Sequence, residues 1–114
     1  MENRRIDEKK LDALLLKLGH SDNLLGTDYL RTAVRLRAQG FGAMTKEIYP
    51  TVAKMHNTTA SRAERAIRHS VERAAGRTDP EVLYGVFGNS ISPDKGKPTN
   101  GEYIARLARV ASED

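Results

Sequence analysis

Cysteine is missing from the 114 residues, so the chain can form neither a disulfide framework nor a thiolate zinc site. Long apolar runs are missing as well: residues 14–16 and 82–84 are typical and far too short to cross a bilayer. The first ten residues are polar, unlike a secretory signal. We therefore expect a cytoplasmic protein.

Patterns that carry catalysis are absent too. No serine lies in a nucleophile-elbow sequence, and the spacing of the ionisable residues offers no buried acid and base pair. His20, His56 and His69 lack the spacing and the carboxylate neighbours of a metal site. We therefore expect a protein that is not an enzyme and that has no metal and no other cofactor.

Positive charge is present but unevenly distributed. The formal net charge is +4, and residues 58–77 alone hold five arginines against two glutamates. Residues 78–114 hold four basic and six acidic residues. Concentrated arginine is typical of a phosphate-binding face, although a patch of this size also fits an ordinary solvated surface.

The spacing of apolar residues predicts an all-α fold, a compact bundle of six or seven helices containing a helix-turn-helix. No strand pattern or internal repeat competes with this prediction. Gly19 and Gly40 are expected to end the first two helices, and Thr27 and Thr45 to cap the second and third. The four tyrosines and two phenylalanines are expected to be core or half-core residues. The predicted helices cover residues 6–18, 27–39, 45–49, 50–56, about 59–75, a short helix opened by Asp79-Pro80, and a C-terminal helix with Ile104, Leu107 and Val110.

The helix at about 59–75 divides into two faces. Its start is left open, because the capping box Ser61-x-x-Glu64 competes with Thr58 or Thr59 as N-cap. On a helical wheel the core side holds Ala63, Ala66, Ile67, Ser70, Val71 and Ala74. The outer side holds Ser61, Arg62, Glu64, Arg65, Arg68, His69, Glu72 and Arg73.

A short helix, a four-residue turn and then a long helix with exposed arginine at its start are typical of a helix-turn-helix. Its second helix enters the major groove N-terminus first, so Arg62 and Arg65 would lie nearest the bases. Arginine can bond O6 and N7 of guanine, and Glu64 can accept from the amino group of cytosine. Later residues suit phosphates instead: Arg68, His69 and Arg73 on the helix, and Lys97 in a loop predicted for residues 88–100.

The alternative is a surface stripe held by Glu64–Arg68 and Glu72–Arg68 pairs on a helical protein-interaction module. Such a module would bind a regulator or RNA polymerase without reading DNA. Charge and periodicity alone leave both interpretations open.

Four segments are more specific: EIYPTVAK from Glu47, NTTASR from Asn57, ERAIRH from Glu64 and KPTN from Lys97. On these segments the chain resembles the C-terminal effector domain of the stage zero sporulation protein A family, over nearly its whole length. The resemblance implies a response regulator effector domain that controls transcription in sporulation. It also implies an all-helical fold whose helix-turn-helix binds a short duplex DNA box as tandem copies, hence a tandem homodimer on DNA.

Residue by residue, the resemblance implies base contacts by Arg62, Glu64 and Arg65 and backbone contacts by Ser61, Arg68 and His69. It also implies that residues 74–87 engage the RNA polymerase sigma subunit, although the run AAGR at 74–77 departs from the aromatic-containing run usual there. The family's phosphoacceptor receiver domain is not in this sequence. We expect residues 1–114 to form one effector domain, with residues 1–5 a linker remnant or a flexible start.

Overall fold

The computed structural model describes residues 4–20, 24–88 and 98–112. These residues form α1 (Glu8–Lys17), α2 (Leu25–Ala38), a π-helical turn (Met44–Ile48), α3 (Tyr49–Met55), α4 (Ala60–Arg77), α5 (Pro80–Phe87) and α6 (Asn100–Val110). Extended pairing within these ranges is limited to one antiparallel bridge between Ile6 and Ser112. The all-α prediction is confirmed. Among the helices described, none has an apolar segment long enough for a membrane span.

Side-chain caps fix where four of the helices begin. The side chains of Asp7, Thr59, Asp79 and Thr99 each accept a hydrogen bond from an amide in the first turn of the helix that follows. These bonds satisfy amides that have no partner inside the helix. For α4 the contact joins the Thr59 hydroxyl to the amide of Arg62 at 3.2 Å, which resolves the alternatives left open by the sequence.

Two predicted caps are wrong. Thr27 is buried in the first turn of α2, which begins at Leu25, and its hydroxyl turns inward to Ser70. Thr45 lies within the π-helical turn, and the carboxylate of Glu47 instead accepts from the amides of Gly42 and Ala43, at 3.1 and 2.8 Å. The hydroxyl of Thr27 is thus directed to a partner 43 positions away, whereas Glu47 caps its own turn from within the same segment.

The core is assembled around α2, which packs against both α4 and α6. Each of the main helices contributes large buried side chains. The largest fully buried side chains in the described residues are Leu11, Leu15, Leu18, Leu30, Ile48, Ile67, Phe87, Tyr103, Ile104 and Leu107. Tyr29 and Tyr49 are also buried and Phe41 is partly buried, as expected. The prediction for Tyr84 is wrong: α5 buries Leu83, Val86 and Phe87, and this leaves Tyr84 63% exposed.

Glycine allows the first part of the bundle to lie directly on α4. At Gly26 a Cβ atom would overlap the carbonyl oxygen of Ala66 and lie 3.0 Å from the Cβ of Ser70. Gly19 has φ +87°, the left-handed conformation expected at the end of α1, and a Cβ there would lie 2.9 Å from the carbonyl oxygen of Ala74. The backbone of α4 is therefore approached closely at two positions along its length.

Candidate nucleic-acid interface

The backbone of α3 and α4 forms a helix-turn-helix. The two helices pack together and are joined by residues 56–59. Within this turn Asn57 has φ 54°, a left-handed conformation that asparagine tolerates better than most residues with a side chain. The amide of Thr58 donates to the carbonyl oxygen of Ala53 at 2.8 Å and closes α3. The turn is thus specified locally by two residues, Asn57 and the capping Thr59.

The helix α2 supports this turn from behind. His56 Nε2 lies 2.7 Å from the hydroxyl of Thr32, within hydrogen-bonding distance. The His56 ring also meets the ring of Tyr29 edge to face, with centroids 4.9 Å apart. His56 is therefore a packing and hydrogen-bonding residue of the helix-turn-helix.

The outer side of α4 is as the helical wheel predicts. We call Arg62, Arg65, Arg68, His69 and Arg73 the arginine face, and all five residues are exposed. Ser61 is exposed beside them, and Glu64 is partly buried at the edge. Seven of the eight predicted contact residues therefore lie on one side of a single helix. The eighth, Lys97, lies outside the described residues.

One ion pair links two of the predicted contact residues. Arg68 Nη1 lies 3.2 Å from Glu64 Oε2, one helical turn away. Surface pairs of this spacing contribute only about 0.3–0.5 kcal/mol. Breaking this ion pair therefore costs little free energy, and Glu64 and Arg68 can each bind another partner.

An open groove of about 400 Å³ runs along the arginine face. One wall is the start of α2, and the other is the outer side of α4. Among the described residues that line the groove, the charged side chains are basic. The lining residues are Leu24, Leu25, Gly26, Arg62, Arg65, Ala66, His69, Ser70 and Arg73.

The inner side of α4 is held by a buried network of hydrogen bonds. His20 Nδ1 lies 3.1 Å from Ser70 Oγ, and His20 Nε2 lies 2.7 Å from Tyr103 Oη. The hydroxyl of Thr27 lies 3.2 Å from that of Ser70. The network therefore joins α4 to α2, to α6 and to the segment that follows α1.

Burial keeps this network neutral. Desolvation, with a smaller contribution from Arg31, lowers the pKa of His20 from 6.5 to about 4. Burial also raises the pKa of Tyr103 well above its ordinary value. Across the described residues, every buried side-chain nitrogen or oxygen atom has a hydrogen-bond partner. The middle of α4 is thus fixed without a buried charge.

Sequence reasoning missed the partners of Ser70. The wheel placed Ser70 on the core side, and a polar residue in such a position requires a partner. His20 lies 50 positions before Ser70 in the sequence. Tyr103, which bonds to His20, lies 83 positions after His20. No local pattern in the sequence connects residues at such separations.

A helix-turn-helix whose second helix is fixed on one side and presents arginine on the other is typical of DNA-binding regulatory domains. The family model described as sporulation initiation factor Spo0A, C terminal, matches residues 11–110. The chain belongs to that family, which confirms the resemblance stated from the sequence. It is thus a DNA-binding effector domain of the response regulator type, a regulatory domain that acts in transcription regulation and sporulation.

Proposed function

We propose that α4 is the recognition helix and reads duplex DNA from the major groove. Arg62, Glu64 and Arg65 contact base edges, and Ser61, Arg68, His69 and Arg73 contact the backbone. The observation that carries this proposal is the arginine face itself, exposed on a helix whose opposite side is immobilised by Ser70. Lys97, outside the described residues, is proposed for a backbone contact on its sequence position alone.

The order of the side chains along α4 supports this division. Arg62 and Arg65 lie in the first two turns, which enter a major groove ahead of the rest of the helix. Glu64 excludes guanine, because the O6 and N7 atoms of guanine are acceptors like the carboxylate, and accepts from cytosine. When Glu64 turns to a base, Arg68 is released from their ion pair and can neutralise a phosphate.

We also propose two protein contacts. Two copies of the chain bind tandem DNA boxes side by side, as the family resemblance implies. The stretch 74–87 contacts the RNA polymerase sigma subunit, and the exposed ring of Tyr84 supports a protein contact there. The run AAGR at residues 74–77, which differs from the aromatic-containing run usual in the family, lies in the last turns of α4. Tyr84 lies on α5, outside that run.

Fluorescence anisotropy at one salt concentration tests the proposal. The protein is titrated onto a duplex with two tandem family-type boxes and onto a scrambled duplex of equal length. We expect a preference of at least about tenfold for the boxes. Arg65→Ala is expected to cost roughly 1–3 kcal/mol of box binding.

Arg77→Ala is the matched control, since Arg77 is also exposed on α4 but belongs to its last turn. It is expected to preserve the preference for the boxes. Equal binding of the unchanged protein to both duplexes would contradict specific reading. In that case the alternative of a helical protein-interaction module replaces it.

A further inference from the structure

The first residue of α6 is bonded to both helices of the helix-turn-helix. Asn100 Nδ2 donates to the hydroxyl oxygen of Tyr49 at 2.9 Å and lies 3.4 Å from the carbonyl oxygen of Glu64. An amide nitrogen carries two hydrogens, so both contacts can exist together. Tyr49 is the first residue of α3, and Glu64 lies within the arginine-bearing turns of α4.

We infer that Asn100 is a positioning residue for DNA reading, setting the placement of α4 against α3 through its single side-chain amide. This inference rests on the proposed function, because it assigns a role in base contact by the same helix. Asn100 itself need not touch DNA. It acts through the backbone of Glu64, whose neighbours in the sequence include the base-contacting Arg65.

Asn100 is well suited to this role because its own position is fixed. The preceding Thr99 and the following Glu102 form a reciprocal capping box, with contacts of 3.2 and 2.8 Å between side chains and amides. In the next turn Tyr103 and Ile104 are fully buried. The start of α6 is therefore anchored to the core, and the amide extends from a rigid base.

The two acceptors are equally constrained. Tyr49 is 8% exposed, and its burial raises the pKa of the hydroxyl, which stays protonated at neutral pH. The Glu64 carbonyl oxygen lies on a helix, where a second lone pair remains after the intrahelical bond. The bond from Asn100 to Tyr49 has an ordinary length of 2.9 Å, and the 3.4 Å contact with the Glu64 carbonyl oxygen is a longer and weaker link to α4.

A positioning role and a merely stabilising role predict different DNA binding. Contacts to phosphates are electrostatic and tolerate a small shift of the helix, whereas contacts to base edges require hydrogen-bond geometry. Loss of positioning therefore lowers the preference for the boxes and spares binding to scrambled DNA. Loss of stability alone lowers the melting temperature and leaves the preference of the folded protein unchanged.

The test compares variants on the two duplexes described above, well below each variant's melting temperature. Asn100→Ala removes both contacts, and Tyr49→Phe removes one with little change in shape. Leu83→Val is the control for stability, because Leu83 is buried in α5, which is not part of the helix-turn-helix. Gln39→Ala is the control for the loss of an exposed amide side chain.

We expect Asn100→Ala to reduce the box preference by roughly three- to tenfold, the usual effect of one or two lost hydrogen bonds. Binding to the scrambled duplex and its salt dependence should stay within about twofold of the unchanged protein. Tyr49→Phe should cause a smaller loss in the same direction. The double variant should lose no more than Asn100→Ala, since the Tyr49 bond is already broken there.

The inference is overturned if Asn100→Ala behaves like Leu83→Val, with a lower melting temperature and an unchanged preference. It is also overturned, together with the proposed function, if the unchanged protein itself shows no preference for the boxes. The unchanged protein thus distinguishes the two failures. If it prefers the boxes and Asn100→Ala retains that preference, only the positioning role of Asn100 is wrong.

Discussion

The two faces of α4 differ in what their polar groups contact. On the inner face the hydroxyl of Ser70 is buried and lies within hydrogen-bonding distance of His20 and Thr27. On the outer face Arg62, Arg65 and their neighbours are exposed along an open groove, whose described lining residues carry no acidic side chain. One helix therefore combines a face that fixes its position with a face that can exchange water for a ligand.

This difference separates stability from recognition within a single element. Changes on the inner face should alter the free energy of unfolding, because buried polar groups and close contacts resist substitution. Changes on the arginine face should alter DNA binding, because exposed side chains add little to stability. If the two faces are independent, a substitution on one face should change either stability or DNA binding and leave the other property unchanged.

The largest effect is expected from the pH dependence of His20. The unfolded chain binds a proton at His20 near pH 6.5, whereas the folded protein does so only near pH 4. The stabilisation is therefore complete above pH 6.5 and is lost as the pH falls toward 4. From about pH 7.5 to about pH 4 it amounts to about 3 kcal/mol of unfolding free energy.

Chemical denaturation of the unchanged protein and of His20→Gln at both pH values measures this pH-dependent stabilisation. The variant cannot titrate, so the difference in stability between the two proteins should shrink or reverse toward low pH. Glu8, whose pKa is lowered by its hydrogen bond with Arg35, destabilises both proteins equally in acid and cancels in the difference. A difference that stays constant with pH would show that His20 is not held neutral behind α4.

The next effect concerns the close contact between α2 and α4. Gly26→Ala would force a methyl group against the carbonyl oxygen of Ala66, and overpacking of this kind costs about 1–3 kcal/mol. Gly76→Ala is the matched control, since a Cβ there meets no atom within 4 Å. Because alanine favours a helix, the control should gain about 0.5–1 kcal/mol.

Thermal or urea denaturation compares the two variants. If Gly26→Ala lowers the free energy of unfolding and Gly76→Ala raises it, the close contact at Gly26 decides the effect, and the loss of glycine flexibility does not. If both substitutions stabilise the protein, α2 and α4 do not approach each other as closely as the structure shows.

The two faces of α4 could be predicted from the sequence because both depend on local periodicity. Ala63, Ile67 and Val71 recur at helical spacing, and the structure buries all three. The helix-turn-helix also follows from local signals, namely Pro50, the polar turn and the threonine cap. Charge alone left its function undecided, and the prediction of DNA binding came from the family resemblance.

The remainder could not be predicted because it depends on contacts between distant residues. Thr27 is a good N-cap by type, yet its hydroxyl finds Ser70, 43 positions away. The amide of Asn100 reaches Tyr49, 51 positions away, and no periodic pattern marks it. The apolar neighbours of Tyr84 in the sequence predicted a core position for it. Those neighbours, Leu83, Val86 and Phe87, occupy the buried side of α5, and Tyr84 is exposed. Which outer-face residues touch bases stays a prediction.

The smallest effect on stability is expected at the far end of the arginine face. Arg73 is exposed in the fourth turn of α4, where we propose a phosphate contact. Arg73→Ala should change the unfolding free energy by no more than about 0.5 kcal/mol. Between about 50 and 200 mM salt it should reduce the slope of log affinity against log salt by about one.

The same substitution distinguishes the two ends of α4. Arg73→Ala should weaken binding to the box duplex and to the scrambled duplex by equal factors, since a phosphate contact carries no sequence information. Arg65→Ala should weaken the box complex more than the scrambled one. If Arg73→Ala also narrowed the preference, the reading surface would extend along the whole arginine face and the division between base and phosphate contacts would be wrong.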